Sequence, residues 1–259
     1  MQVIKLGGSV ITDKREYRKF NRSATKKIVA EISRIDGQFI LVHGAGSFGH
    51  IKAREYALHM GKRSDVENQE IGFSLVHSDV RDLNLRIMNV LRESALPAVS
   101  IPPFNAVINE NGKIKRINME HFCTALALGL VPVTFGDVVF DEKTGFSICS
   151  GDDLTLELAR SFNAHRVLFL CDVDGVYDRP PNASGAKLLP EISPETIQHL
   201  GSARHADVTG SIYGKVQKCI EFLEAGNATE VWILSGKNMQ NLRNALIGKP
   251  FIGTKVVIK

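Results

Sequence analysis

Val3-Ile4-Lys5-Leu6-Gly7-Gly8-Ser9 opens the chain with a short apolar run that stops at paired glycines. A brief run of this kind, β-branched and ended by glycine, reads as a strand running into a turn. The same pattern returns at Phe39–Val42, Ala98–Ser100, Val131–Phe135, Val167–Leu170 and Val231–Leu234. None of these runs alternates polar with apolar residues, as expected of strands buried on both faces. Between them lie helical stretches. Ser23–Ile35 spaces Ile28, Ile32 and Ile35 along one face, and Ile71–Leu91 carries Leu75, Val76, Val80, Leu83, Ile87, Val90 and Leu91. Leu154–Ser161 and Tyr213–Leu223 read as further helices. Strands alternating with helices predict an α/β fold with a largely parallel central sheet.

Two segments break the rhythm. Asn105–Ile117, with Asn109-Glu110-Asn111-Gly112 at its centre, and Val138–Ile148, with Asp141–Gly145, each read as a β-hairpin. Hairpins inserted into a parallel sheet form a lid or wall over a site at the strand ends. No linker divides the chain; if there are two lobes, the break falls near Gly151–Asp172.

The 259 residues suit one large α/β domain, and 44% hydrophobic with 23% charged residues is a globular balance. With 32 basic against 28 acidic residues and no basic run, nucleic acid is not indicated, whereas a small anionic substrate is compatible. No apolar run approaches the about 20 residues that span a bilayer, and the start of the chain lacks a signal peptide's pattern. Cys123, Cys149, Cys171 and Cys219 are far apart, with no CxxC pair, and are expected to be reduced thiols of a cytoplasmic protein.

The glycine turns carry the chemistry. Gly7 and Gly8 let backbone amides approach an anion, and Lys5 supplies a point charge for a phosphate; the alternative is a tight turn beside a solvated lysine. His43-Gly44-Ala45-Gly46-Ser47-Phe48-Gly49-His50 follows the second strand and opens a helix, a ready anion site. Its glycine spacing is not that of a dinucleotide fingerprint, and no Gly-Lys-Ser/Thr follows it. Two such loops at the ends of early strands suggest two phosphates held face to face. His50 is either a surface or capping residue or a hydrogen-bond donor to an acceptor phosphate, whereas His43 ends an apolar strand and reads as structural. Lys14, a few residues past the first loop, is either exposed or balances charge on a phosphoryl group in flight.

Gly151-Asp152-Asp153 precedes a helix. One aspartate can cap it, or it can orient a lysine or a magnesium ion. Asp172-Val173-Asp174-Gly175-Val176-Tyr177 follows an apolar strand, where carboxylates reach a binding crevice; Tyr177 and Arg179 spoil a calcium-loop reading. Asp207-Val208-Thr209-Gly210-Ser211 precedes the last long helix, whose Lys215 faces either solvent or nucleotide phosphates.

Taken in order, Lys5–Ser9, His43–Gly46, Asp172–Gly175 and Asp207–Gly210 resemble the amino acid kinase family nearly end to end. Ser9–Lys14, Gly46–His50 and Ile148–Asp153 are similar to its isopentenyl phosphate kinases of archaeal type, with the histidine after Phe48-Gly49 the most diagnostic mark. The resemblance implies an open αβα sandwich, a cytoplasmic homodimer, ATP with Mg2+, and isopentenyl phosphate as acceptor, without nucleic acid, membrane or protein metal ligands. It implies one domain, with an acceptor lobe at about 1–160 and a nucleotide lobe at about 161–259. It makes Lys5, Lys14 and His50 catalytic. It puts ATP against Lys5, Leu6, Gly7, Gly8, Ser9, Gly46, Asp172, Asp174, Gly175, Val176, Tyr177, Gly210 and Lys215. The acceptor phosphate would meet Ala45, Gly49, His50, Ser150 and Gly151, and the tail would meet Phe73, Val76, Val80, Val138 and Ile148, which otherwise read as ordinary core. Two departures stand out: Ala45 replaces a glycine, and Ser211 replaces the second glycine of Thr-Gly-Gly. The rival expectations are a kinase of the fosfomycin type and a non-catalytic nucleotide-binding protein.

Overall fold

A computed structural model describes residues 1–13, 15–202 and 212–258. Lys14 and Gly210, with the rest of the Asp207–Ser211 motif, lie outside the described residues. The strands are β1 (Gln2–Leu6), β2 (Phe39–His43), β3 (Ala98–Ser100), β4 (Val107–Glu110), β5 (Lys113–Ile117) and β6 (Val131–Phe135). They continue with β7 (Asp137–Asp141), β8 (Gly145–Cys149), β9 (Arg166–Cys171), β10 (Glu191–Ile192), β11 (Glu230–Ser235) and β12 (Thr254–Val256). The helices begin with α1 (Gly8–Ile11), α2 (Arg22–Ile32), α3 (Gly46–Glu55), α4 (Gln69–Glu93) and α5 (Pro103–Ala106). They end with α6 (Glu120–Ala127), α7 (Gly151–Ser161), α8 (Pro194–Ser202), α9 (Ile212–Glu224) and α10 (Met239–Leu246).

An eight-stranded sheet runs β10-β12-β11-β9-β1-β2-β6-β3, and within it only the β11–β12 pairing is antiparallel among the described residues. Successive strand residues face opposite sides, which sorts the core into two layers. Val3, Ile40, Val42, Val167 and Phe169 pack under α6, α7 and α9 through Phe122, Leu158, Val216 and Ile220. Ile4, Leu6, Leu41, Leu168 and Leu170 pack under α2, α4 and α10 through Ile28, Leu83, Ile87 and Leu242. The expected αβα sandwich is therefore present, and its central strands are mostly apolar because both faces are covered.

The two hairpins do not join the main sheet. They form a second sheet of their own, β5-β4-β7-β8. The buried Asp141 accounts for much of this, because its carboxylate accepts the amides of Asn111, Gly112, Lys143 and Thr144 and the Ser147 hydroxyl. These bonds tie both hairpin turns together and hold the Asp141 carboxyl well below its ordinary range, more than offsetting the burial that pushes it up. The region Asn105–Ala106, expected as the start of a hairpin, closes α5 instead.

In the main sheet β1 is flanked by β2 on one side and β9 on the other, both parallel to it. Such a switch point leaves a crevice at the carboxyl ends of the strands. The segments after β1, β2, β6 and β9 all open there, and the sandwich thereby sets the site.

Candidate active site

The crevice holds a cavity of about 520 Å³. Gly8, Gly46 and Gly151 each begin a helix (α1, α3 and α7) and each lines this cavity, so three helix N-termini meet at one place. Their approach is close enough to exclude side chains. A Cβ on Gly8 would lie 2.7 Å from the Gly46 Cα, one on Gly44 would lie 2.8 Å from the Gly8 nitrogen, and one on Gly151 would meet the His43 carbonyl at 3.1 Å. Gly46 also has φ +51°, the left-handed region that favours glycine. Thr12, within the Ser9–Lys14 motif but given no role by it, stitches the first two loops: its hydroxyl donates to Gly8 O at 2.7 Å and accepts from Ser47 N at 3.0 Å. Its only sequence signal is the spacing of four from Gly8.

Lys5 closes the cavity floor. It is 7% exposed and bonds to Asp152 Oδ1, and the same oxygen accepts Lys215 Nζ at 2.5 Å. Both ammonium groups also lie over the Phe169 ring, at 5.9 and 4.7 Å from its centroid. Burial would raise the Asp152 carboxyl, but the charges of Lys5 and Lys215 outweigh it and hold the group well below the carboxylate range. Burial lowers Lys5 from the ordinary lysine value, with Asp152 only partly restoring it. Burial pulls Lys215 down as well, but there the Asp152 charge prevails and the value rises. One carboxylate thus gathers two cations where an anion would enter. The α7 cap is Ser150, whose hydroxyl accepts Asp152 N at 3.1 Å, so neither aspartate caps the helix.

His43 is buried and neutral. Burial takes its pKa down to about 4, its ring stacks on Phe135, and it spans Gly44 O and Asn84 Nδ2. The structural reading of this histidine is therefore right. His50 lies on α3 rather than in a loop, on its second turn, and lines the cavity with Ala45 and Gly49.

Among the expected nucleotide contacts, Lys5, Gly7, Gly8, Ser9, Gly46, Asp172 and Lys215 line the cavity, with Ser9 Oγ donating to Asp172 at 2.7 Å. Leu6 lies in the core, and Asp174, Gly175, Val176 and Tyr177, which follow the lining residue Val173, are not among the residues that line the cavity. Val176 N donates to Thr254 Oγ1 at 2.8 Å, and Gly175 packs on the same threonine. Of the expected acceptor contacts, Ser150, Gly151, Val76, Val80, Val138 and Ile148 line the same cavity. Phe73 is not among the lining residues of this cavity and packs against Phe104, Phe140 and Phe146. Two further cavity residues gave no sequence signal. Asp137 is buried, pairs with His77 Nδ1 at 2.9 Å and, through burial, has a raised pKa; Arg54 follows His50 by one helical turn.

Residues 1–235 match the amino acid kinase family. This chain belongs to that family. The isopentenyl phosphate kinase of Methanothermobacter thermautotrophicus is 35% identical over the whole of both chains. That of Thermoplasma acidophilum is 33% identical over 99% of this chain and all of its own. A solved isopentenyl phosphate kinase structure superposes with a TM-score of 0.87 at 32% identity, covering 99% of this chain and all of that one. The wider family shares the fold: the carbamate kinase of Giardia lamblia, at 18% identity, covers 100% of this chain and 98% of its own with a TM-score of 0.67.

Proposed function

We propose that the chain transfers the γ-phosphoryl of ATP to isopentenyl phosphate, giving isopentenyl diphosphate and ADP. One observation carries this reading: a single cavity joins a floor of paired lysines and helix N-termini to a wall of Val76, Val80, Val138 and Ile148. A small phosphate ester with a hydrocarbon tail matches both parts. The likeness to isopentenyl phosphate kinases over the whole chain supports the same acceptor. Phosphate is already nucleophilic at neutral pH, so transfer needs positioning and charge neutralisation more than a strong base. In this reading Lys5 and Lys14 stabilise the transferred group, Lys215 holds the donor phosphates, and His50 with the amides near Ala45 and Gly151 grips the acceptor phosphate. Residues 1–160 then serve mainly the acceptor and residues 161–259 the nucleotide.

Among the described residues no cluster of three or more acidic, histidine or cysteine side chains could cage a metal, and the Asp152 carboxylate is committed to two lysines. The lining would therefore suit Mg2+ carried in with the nucleotide on its phosphate oxygens, with Asp172, which accepts the Ser9 hydroxyl, as an acid of that side. Bound there it would neutralise donor phosphate charge. We further propose a cytoplasmic homodimer, in keeping with the four free cysteines and with exposed apolar residues such as Leu85 and Leu128; light scattering would measure the oligomer. Among the described residues no helix is long and apolar enough to cross a membrane.

An acceptor panel tests the reading. ADP formation should be rapid with isopentenyl phosphate and negligible with fosfomycin or without acceptor. Preference for fosfomycin would favour the rival phosphonate kinase, against which the apolar wall speaks, and no turnover at all would favour a nucleotide sensor. Exchanging His50 for asparagine should raise the KM for isopentenyl phosphate roughly ten- to a hundredfold while the ATP KM stays within about twofold. Wild-type kinetics in that variant would remove His50 from the acceptor site.

A further inference from the structure

The segment joining α1 to α2 is a closed strap. Thr12 and Phe20 form an antiparallel bridge at its neck, Asp13 N donates to Lys19 O at 2.9 Å, and Asn21 N donates to Ile11 O at 2.8 Å. Lys14 belongs to this strap by sequence, between Asp13 and Arg15. The strap is fastened to α4 through Asp79 and Asp82. Asp79 of that helix is 2% exposed; its carboxylate accepts the Tyr17 hydroxyl on one oxygen and lies 3.2 Å from the Arg18 guanidinium on the other. Arg18 also reaches Asp82 at 2.6 Å, and its φ of +58° is a left-handed conformation that long side chains seldom adopt. Burial, then Asp79, pushes the Tyr17 hydroxyl up to about 12, so the proton stays on tyrosine and is donated.

The clasp also reaches α3. Lys52 Nζ lies 5.4 Å from the Tyr17 ring centroid, and Arg18 lies over Phe48 at 5.8 Å. Ser47, at the start of α3, accepts Lys19 N on its hydroxyl at 3.3 Å. On α4, Asp79 sits between Val76 and Val80 in sequence, the two residues of that helix that line the cavity. A carboxylate withdrawn from water is tolerated only when its partners satisfy it, and here both partners come from the strap.

We propose that Asp79 is a positioning residue for phosphoryl transfer: it holds Tyr17 and Arg18 of the strap, the segment to which Lys14 belongs by sequence, to the helix forming the acceptor wall. This rests on the reading of Lys14 as a group that stabilises the transferred phosphoryl. Small displacements of such a group are enough to lower turnover strongly.

Tyr17→Phe removes the hydroxyl and keeps the ring over Lys52, and Asp79→Asn keeps the shape of the carboxylate. Both should lower kcat roughly tenfold or more, with the KM for ATP and for isopentenyl phosphate within about twofold. On a Lys14→Ala background neither change should lower kcat further, because a group that acts through Lys14 has nothing left to position. Should Asp79→Asn fail to fold, Tyr17→Phe carries the test alone. Wild-type kcat in Tyr17→Phe, a loss confined to KM, or a loss that adds in full to that of Lys14→Ala would each overturn the proposal. Wild-type turnover in Lys14→Ala itself would instead remove the reading of Lys14, and the proposal with it.

Discussion

Lys5→Met will lower kcat by roughly two to three orders of magnitude while the protein remains folded and still binds ATP. Lys5 stands at the end of β1, buried to 7% exposure, with its ammonium on Asp152 beside the Gly8, Gly46 and Gly151 helix starts. A fixed positive charge in a water-poor cavity acts on the charge that spreads over the transferred group, and removing one such donor from a preorganised site costs about 10²–10³ in rate. Methionine keeps the length and apolar stem of the side chain, so β1 packing survives. Single-turnover measurement of ADP formation at saturating ATP and acceptor separates this effect from binding. Turnover within about tenfold of wild type would mean that the β1 lysine is not a principal charge at the reacting phosphoryl group.

Asp152→Asn should have the largest effect on stability. The side chains of Lys5, Lys215 and Asp152 are 8%, 10% and 19% exposed, so asparagine would leave two buried ammonium groups without their shared counter-charge. Breaking a buried pair from one side costs about 3–5 kcal/mol, which for a chain of this size lowers Tm by roughly 10 °C. ATP should narrow the gap, because its phosphates supply the missing negative charge, and thermal unfolding with and without ATP measures both effects. The pH dependence has a definite sign. Asp152 titrates below the ordinary carboxylate value in the folded protein, so its stabilisation is complete above the unfolded value near 3.8 and is lost as pH falls toward the lower folded value. The difference between variant and wild type should therefore be flat through neutral pH and shrink only in acid. A variant as stable as wild type, or one that ATP fails to rescue, would show that the two lysines do not depend on this carboxylate.

Much of this architecture is legible in the sequence because its strands are buried on both faces. Val3–Leu6, Phe39–Val42 and Val167–Leu170 read as continuous apolar runs, and they lie side by side as β2-β1-β9. The glycines after β1 and β2 and the lysine of β1 were legible for the same reason: each stands at the end of an apolar run, where side-chain chemistry is scarce and conspicuous. Contacts between distant segments were not. Nothing local to Asp152 says that one oxygen receives lysines from β1 and α9, so capping and catalytic readings stayed balanced until the fold joined them. Asp79 and Asn84 look like the solvent face of an amphipathic helix, yet α4 is covered on that side by the strap and by β2. Thr12 and Asp137 likewise gain meaning only from partners 35 and 60 residues away. Phe73 shows the converse. It has the periodicity of the cavity wall, but its ring packs against three phenylalanines of α5 and the second sheet.

The central claim is that a phosphate ester with an apolar tail becomes a diphosphate at this cavity. Phosphorus-31 NMR of the wild-type protein with ATP, Mg2+ and isopentenyl phosphate tests it directly. The single resonance of the acceptor should give way to the coupled pair of a diphosphate ester, with ADP formed in equal amount. An unchanged acceptor resonance, or ADP accompanied only by inorganic phosphate, would contradict it.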